Sequence, residues 1–161
     1  MPGEQLTHLD DSGRARMVDV SAKPESERWA RARGTVILQP ETVVLARAGD
    51  LKKGDLRATA ELAGVTAAKR TWELIPLCHP LPLTDVEVHV EFSDTLPGVE
   101  IEAIVRTVAR TGVEMEALTA VAVAGLTVVD MVKGIDRRAR IQDVRLVEKH
   151  GGRSSDIVLE A

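Results

Sequence analysis

Aromatic side chains are almost absent from this chain. Its 161 residues include two Trp, one Phe and no Tyr, so the core has to be built from aliphatic side chains and methionine. Proteins that read single-stranded RNA usually stack its bases on several aromatic rings. The composition therefore argues against an RNA-binding domain, an interpretation that only tight binding to single-stranded RNA in a gel shift would revive.

Cysteine and long apolar runs are also scarce. Cys78 is the single cysteine, which excludes an intramolecular disulfide and a cysteine-rich zinc cluster. The longest uncharged run, residues 117–129, is shorter than the ~17–25 apolar residues of a membrane-spanning helix. Residues 1–11 are polar and lack the apolar segment of a secretory signal. We therefore expect a cytoplasmic protein without a membrane partner.

Charge of neither sign dominates. The formal net charge is -4, with 44% hydrophobic and 29% charged residues. These values are ordinary for a globular protein, and they exclude both an acidic disordered chain and a broadly basic nucleic-acid-binding surface. The length predicts one domain over residues 1–161. Its first part, residues 1–33, is interpreted as a polar arm with a short strand at 17–20, partly mobile unless a partner subunit orders it.

The rest of the chain alternates between strand and helix patterns. The expected elements are a strand at 35–38, a helix from Pro40 to about Ala48, a helix from Leu56 to about Glu73 capped by Asp55 and broken near Gly64, a hairpin of strands at 86–92 and 100–110, a helix from Thr111 to Lys133 with a Thr111/Glu114 capping box, and strands at 141–147 and 157–159. This order predicts an α+β fold, a ferredoxin-like two-layer sandwich with an antiparallel sheet and helices on one face. The apolar surfaces left over predict an oligomer.

Two loops carry residues suited to binding a ligand. Residues 52–55 (Lys-Lys-Gly-Asp) place two ammonium groups before a helix N-terminus, which suits a phosphate; the alternative is a solvated loop with a capping Asp. Residues 77–83 are stiffened by proline, so Cys78 and His79 should point to opposite sides. A Cys–His nucleophilic pair is not expected. His79 alone can bind a ligand, and a rigid surface turn is the alternative.

The predicted long helix carries its charges at its ends. Glu114 and Glu116 at the start and Lys133 at the end agree with the helix dipole, whereas Asp130 opposes it. Asp130 and Lys133 are three residues apart and share a face. They are a candidate proton-transfer pair, with an ordinary helix-end ion pair as the alternative.

The C-terminal region is locally basic. Residues 133–153 contain seven basic and three acidic side chains, a local excess of four positive charges. Such a surface can hold a polyphosphate, although a solvated basic face has the same composition. Residues 151–154 (Gly-Gly-Arg-Ser) lack the Lys and the glycine spacing of a P-loop. The residues alone thus support an α+β oligomer with an anion site, and no acidic cluster resembles a dedicated metal cage.

Several longer motifs resemble one family. They are Met17-Val18-Asp19-Val20-Ser21, Lys53-Gly54-Asp55, Ala67-Ala68-Lys69-Arg70-Thr71-Trp72, Ile75-Pro76-Leu77-Cys78-His79-Pro80-Leu81, Thr111-Gly112-Val113-Glu114-Met115-Glu116-Ala117-Leu118-Thr119-Ala120, and Asp130-Met131 with Lys133. In these motifs the chain resembles the molybdenum-cofactor biosynthesis protein C family, the cyclic pyranopterin monophosphate synthases. The resemblance runs from about Leu6 to Ser155.

The resemblance implies a phosphorus–oxygen lyase that converts 3′,8-cyclo-7,8-dihydro-GTP to cyclic pyranopterin monophosphate and releases pyrophosphate, an early step of molybdenum cofactor biosynthesis. It also implies a ferredoxin-like subunit and a homohexamer, a trimer of dimers with active sites at subunit interfaces. No cofactor or protein-bound metal is expected, although Mg²⁺ can accompany pyrophosphate. By motif, the catalytic residues would be Asp130 as acid/base with Lys53 and Lys133, and the substrate-binding residues would be Leu77, Cys78, His79, Glu114, Met115, Glu116, Lys69 and Lys149.

The chain departs from the family pattern at a few positions. Val129 and Val132 stand where the family often has Tyr and Cys, and Arg153 stands where a Lys is common, which leaves the phosphate contacts open. The alternative function is an inactive nucleotide-binding or regulatory module on the same fold. The presence of Lys53 and Asp130 argues against it, as do His79, Glu116 and Lys133.

Overall fold

Residues 8–160 of the protein fold into five strands and four helices. A computed structural model describes residues 8–160, in which the elements are β1 (Ser26–Ile37), α1 (Pro40–Ala48), α2 (Leu56–Lys69), α3 (Thr71–Leu74), β2 (Leu83–Phe92), β3 (Gly98–Ala109), α4 (Glu114–Val132), β4 (Arg140–His150) and β5 (Ile157–Val158). The strands form one sheet in the order β2-β3-β1-β4-β5, and every neighbouring pair is antiparallel. The order β4-β1-β3-β2 with helices on one face confirms the predicted ferredoxin-like α+β fold.

The first strand begins earlier than the sequence suggested. The prediction placed a strand at 35–38 and assigned residues 26–33 to a polar arm, whereas β1 starts at Ser26. Ala30, Ala32 and Val36 are fully buried, while the arginines between them lie on the opposite face of the sheet. Alanine alternating with arginine is a weak strand signal in a sequence, because the burial of the alanines depends on the helix that packs over them.

Three other local predictions were wrong. Helix α2 runs through Gly64 without a break. A Cβ at this position would lie 3.1 Å from the carbonyl oxygen of Ala120, so the glycine lets α2 lie close to α4. Helix α4 begins at Glu114 with Val113 as its N-cap residue and no side-chain cap, so the Thr111 capping box does not form. No strand forms at residues 17–20.

Other predicted features are confirmed. Asp55 caps α2, accepting a hydrogen bond from the backbone N–H of Ala58 at 3.0 Å. Helix α1 has the predicted bounds, and β2 pairs with β3 as the predicted antiparallel hairpin. The cap fixes where residues 52–55 join the start of α2, and Lys53 in this loop belongs to the site described below.

Helix α4 is the central element of the helical layer. It is long and apolar enough to cross a membrane by length and composition, but half of its most apolar window is buried inside the protein. The buried side of the helix packs on the sheet, and Ala117, Ala120, Val121, Ala124 and Val128 are fully buried. Its hydropathy is therefore accounted for by a core position.

The start of β3 tests how tightly the sheet is built. A Cβ at Gly98 would lie 2.0 Å from the carbonyl oxygen of Val36, a rigid backbone atom. We expect Gly98→Ala to lower the free energy of unfolding by about 3 kcal/mol or more, measured by urea denaturation. Gly134→Ala is the control, because a Cβ there meets no atom within 4 Å. Equal stability of the two variants would contradict the packing described.

Candidate active site

Asp130, near the C-terminal end of α4, lies between two lysines. The Nζ atom of Lys53 is 2.7 Å from Asp130 Oδ2, and the Nζ atom of Lys133 is 2.6 Å from Asp130 Oδ1. Lys53 also donates a hydrogen bond to the carbonyl oxygen of Asp130 at 2.8 Å. The structure thus brings together the three residues that the sequence named as catalytic, Lys53 from the loop before α2 and the other two from α4 and its end.

The lysines control the charge of the carboxylate. Hydrogen bonds from Lys133 and Lys53 lower the pKa of Asp130 to about 2. At neutral pH the carboxylate is ionised and can only accept hydrogen bonds. In this arrangement the protons available for transfer are on the two ammonium groups, and Asp130 holds and orients them. Half of the Asp130 side chain is open to solvent, so a ligand can reach all three groups.

A cavity lies at the other end of α4, where the helix begins. It has a volume of about 340 Å³ and is lined by residues from the proline-rich loop and the first turn of the helix. These include six residues predicted to bind substrate: Leu77, Cys78, His79, Glu114, Met115 and Glu116. The helix N-terminus and the stiff loop after α3 converge here, which explains why two motifs far apart in sequence form one wall.

Glu116 is the most unusual group in this cavity. Only 4% of the residue is exposed, and burial, reinforced by the nearby charge of Glu114, raises its pKa to about 7. A carboxyl group with this pKa both donates and accepts a proton near neutral pH. Burial, and then the charge of Glu116, also raise the pKa of the Cys78 thiol. Cys78 is therefore a thiol and not a thiolate nucleophile at neutral pH.

The N-terminal arm forms part of the same cavity. His79 Nε2 lies 2.8 Å from the carbonyl oxygen of Val18, and because a carbonyl only accepts, Nε2 carries the hydrogen. The Nδ1 atom is left to interact with a ligand. The arm also contributes His8, Val20 and Lys23 to the lining. The sequence analysis missed these residues; the motif at 17–21 was the available signal, but it was interpreted as a strand.

Two lysines predicted to bind substrate lie beside this cavity. Lys149 Nζ, on β4, is 2.8 Å from Glu114 Oε1. Lys69 lines a neighbouring depression that shares Leu81 with the cavity. Arg153 lies exposed in the loop between β4 and β5. Lys149 thus contacts an acid of the cavity directly, and Lys69 lies in the depression next to it.

The two groups of candidate residues are far apart within one subunit. Glu114 and Asp130 are 16 positions apart on one straight helix, so about 24 Å separates them along its axis. One small molecule cannot contact both ends of α4 in the same chain. The residues predicted to form one site therefore form two half-sites, the Asp130 half-site (Lys53, Asp130, Lys133) and the Glu116 half-site (the cavity residues).

A larger cavity on the open face of the sheet, of about 600 Å³, has different properties. Its lining includes Arg33 and Arg145, but Arg33 is already paired with Glu102 at 2.7 Å and Arg145 with Glu160 and Asp143. None of the residues that the family motifs name as catalytic or substrate-binding lines this cavity, so volume alone is a poor guide here. Among residues 8–160 there is also no group of three or more His, Cys, Asp or Glu side chains placed to hold a metal ion.

Comparison with known proteins identifies the family. The MoaC family matches this chain over residues 17–152, which include both half-sites apart from His8. The chain belongs to the MoaC family. It is 63% identical over 150 residues to a protein of Thermomicrobium roseum named cyclic pyranopterin monophosphate synthase, covering 93% of this chain and 90% of that protein.

Two further MoaC relatives carry the same name. The protein of Roseiflexus sp. (strain RS-1) is 60% identical over 153 residues, covering 95% of this chain and 97% of the relative. The protein of Brucella ovis is 53% identical over 152 residues, covering 94% and 92%. The resemblance seen in the sequence motifs is confirmed, and it extends over nearly the whole chain.

The buried carboxyl group gives a pH-dependent prediction. The pKa of Glu116 is about 7 in the folded protein and near 4.5 when unfolded, so the folded state binds the extra proton and stability falls as pH rises between these values. Above pH 7 we expect Glu116→Gln to be more stable than the wild type by about 3 kcal/mol, with the difference disappearing below about pH 4.5. Urea denaturation at several pH values measures this difference. Glu25→Gln, at an exposed position before β1, controls for loss of one carboxylate, and a pH-independent difference for Glu116→Gln would contradict the shift.

Proposed function

We propose that this protein is a cyclic pyranopterin monophosphate synthase, which converts 3′,8-cyclo-7,8-dihydro-GTP to cyclic pyranopterin monophosphate with release of pyrophosphate. Relatives of this name at 53–63% identity support the reaction. The structural observation that carries the proposal is the carboxylate of Asp130 bound on both oxygens by lysines. A binding module has no need of two ammonium groups held this way, whereas a reaction with several proton transfers does.

The chemistry divides between the half-sites. To close the cyclic phosphate, a hydroxyl oxygen of the substrate bonds to the α-phosphorus, its proton passes to a base, and the bond from that phosphorus to the oxygen bridging to the β-phosphate breaks to release pyrophosphate. Negative charge builds on the phosphate oxygens and needs fixed cations nearby. Lys53 and Lys133 supply such cations and exchangeable protons at one half-site, and Glu116 can donate or accept a proton at the other.

We propose that each active site combines the Asp130 half-site of one subunit with the Glu116 half-site of a second. Two copies of α4 that pack antiparallel about a two-fold axis bring the C-terminal end of one beside the N-terminal end of the other. The surface between the half-sites is suited to such packing, because Leu62 of α2 and Leu126 of α4 are 69% and 58% exposed. An apolar groove on this side is lined by Leu62, Leu74 and Val123. Three such dimers would form the homohexamer that the resemblance implies.

The remaining expectations concern the phosphates and the surroundings. We propose that Lys69, Lys149 and Arg153 bind the triphosphate, with Lys23 of the arm as a further cation at the cavity. Any Mg²⁺ that accompanies the substrate would arrive on its phosphate oxygens, and Asp130, whose two oxygens bind lysines, would not hold it. No cofactor is needed for this reaction, and we propose a cytoplasmic location with no membrane or nucleic-acid partner.

The reaction is tested by pyrophosphate release from 3′,8-cyclo-7,8-dihydro-GTP. We expect turnover by the wild type and a loss of about 100-fold or more in Asp130→Asn, because the neutral amide no longer holds two ammonium groups. Asp94→Asn is the matched control, since its side chain is 98% exposed, lies 3.9 Å from Arg47 and belongs to neither half-site. Pyrophosphate release by Asp130→Asn as well as by the wild type would keep the function and move the essential group to a lysine. Substrate binding without any release by the wild type would favour the inactive module.

The composite site is tested by mixing two inactive variants. Lys53→Ala damages one half-site and His79→Ala damages the other. If each site uses both subunits, mixed dimers contain one intact and one doubly altered site, so co-expression should restore about a quarter of wild-type turnover. Lys53→Ala co-expressed with Asp130→Asn is the control and should remain inactive, because both changes fall in the same half-site. No recovery from the first mixture would contradict a shared site.

A further inference from the structure

His150, the last residue of β4, connects three parts of the chain. It pairs across the sheet with Trp29 of β1, and the two rings stack with centres 4.1 Å apart and planes 13° from parallel. Its Nε2 atom is 2.9 Å from Glu148 Oε2, and its Nδ1 atom is 2.9 Å from Asp156 Oδ2. We call His150, Trp29, Glu148 and Asp156 the His150 clasp.

The charged groups around the clasp come from the two neighbouring strands. Arg31 of β1 places its guanidinium 2.8 Å from the other oxygen of Glu148 and 5.7 Å from the centre of the Trp29 ring. Arg106 of β3 also lies 5.7 Å from that centre. The atoms in contact with the two ring nitrogens of His150 are nevertheless both carboxylate oxygens. Only the imidazolium form donates to both of them, because a neutral imidazole has a single N–H.

The carboxylates of Glu148 and Asp156 raise the pKa of His150 above its ordinary value. The clasp is therefore complete at pH values below the pKa that His150 has in the unfolded protein. It loses one hydrogen bond as the pH rises through the higher pKa that His150 has in the folded protein.

The clasp closes the loop between β4 and β5. The second oxygen of Asp156 accepts a hydrogen bond from the backbone N–H of Gly151 at 3.0 Å. Gly151 has a φ of +91°, and a Cβ there would lie 2.1 Å from the carbonyl oxygen of Glu27, so the chain turns tightly against β1 at this point. Asp156 thus ties the end of the loop to its beginning through both a side chain and the backbone.

Lys149 depends on this anchor because it precedes His150 on the same strand. Successive side chains of a strand point to opposite faces, and Ala30, the partner of Lys149 in the sheet, is fully buried on the helical side. Lys149 therefore extends to the helical side, where it meets Glu114 at 2.8 Å. Fixing His150 on one face of the sheet fixes the direction of Lys149 on the other.

We propose that His150 is a positioning residue for phosphate binding, which holds Lys149 and the 151–156 loop in place for the phosphate groups of the substrate. The inference rests on the proposed function, in which Lys149 and Arg153 bind the triphosphate. His150 does not touch the substrate itself; it acts through Lys149 and through the closed loop.

The test measures pyrophosphate affinity by calorimetry, together with hydrogen exchange of the amides of residues 151–158. We expect His150→Ala to weaken pyrophosphate binding by about tenfold, to raise KM by a similar factor with kcat changed less than about twofold, and to accelerate exchange in the loop. His89→Ala is the matched control and should change none of these values, because His89 pairs with Glu87 elsewhere on the same sheet face. If His150→Ala fails to fold, His150→Gln and Asp156→Asn replace it.

A pH series separates positioning from a purely structural role. The advantage of the wild type over His150→Ala in pyrophosphate affinity should be largest at low pH, where the imidazolium donates to both carboxylates, and should shrink as pH rises through the raised pKa of His150. His150→Gln is neutral at every pH, so its pyrophosphate affinity relative to that of His150→Ala should not change with pH.

The outcomes distinguish the inference from the proposed function. Wild-type affinity in His150→Ala, an advantage that does not change with pH, or a wild type that does not bind pyrophosphate would each overturn the positioning role. Failure of the proposed function has a different signature, a wild type that binds pyrophosphate through the clasped loop but releases none from 3′,8-cyclo-7,8-dihydro-GTP.

Discussion

The contact between α4 and the sheet is the constraint on which the rest of the structure depends. The helix lies close to β1 because its underside consists of alanine and valine, and because β1 presents Ala30, Ala32 and Gly34 to it; a Cβ at Gly34 would already lie 2.8 Å from Val121. Close packing of this kind leaves little freedom to tilt or slide. Both half-sites are attached to the ends of this one helix, so their separation is as fixed as the helix is rigid. This fixed separation is the reason for the site shared between two subunits that we propose.

The two half-sites solve opposite electrostatic problems. At the exposed C-terminal end, one carboxylate binds two lysines and leaves a net charge of +1, and the carboxylate stays ionised because cations contact both of its oxygens. At the buried N-terminal end, Glu116 has no such partner, so burial favours its neutral form. In the proposed function one carboxyl group, that of Asp130, is an orienting anion and the other, that of Glu116, is a proton carrier, which is the division of roles that sequential proton transfers require.

Local sequence signals identified the features that depend on neighbours in the chain. The Asp55 cap, the bounds of α1 and the β2–β3 hairpin follow from short-range chemistry, and the spacing of Asp130 and Lys133 follows from helical periodicity. The sequence could not show where β1 begins, because alanine and arginine form a strand there only under the cover of α4. Nor could the spacing of residues reveal that the arm contributes Val18 to the cavity, or that the proline-rich loop meets the N-terminal end of α4 while Lys53 meets its C-terminal end. Those relations arise from tertiary packing.

The contact between His79 and the arm has a consequence for how the protein tolerates mutation. The acceptor is the main-chain oxygen of Val18, and every amino acid supplies that atom. A substitution at position 18 alters the lining of the cavity but leaves the hydrogen bond, and with it the position of the ring proton, unchanged. Only a displacement of the whole arm would release the imidazole. The hydrogen therefore stays on Nε2 of His79 when single residues of the arm are substituted, although this segment of the arm is neither helix nor strand.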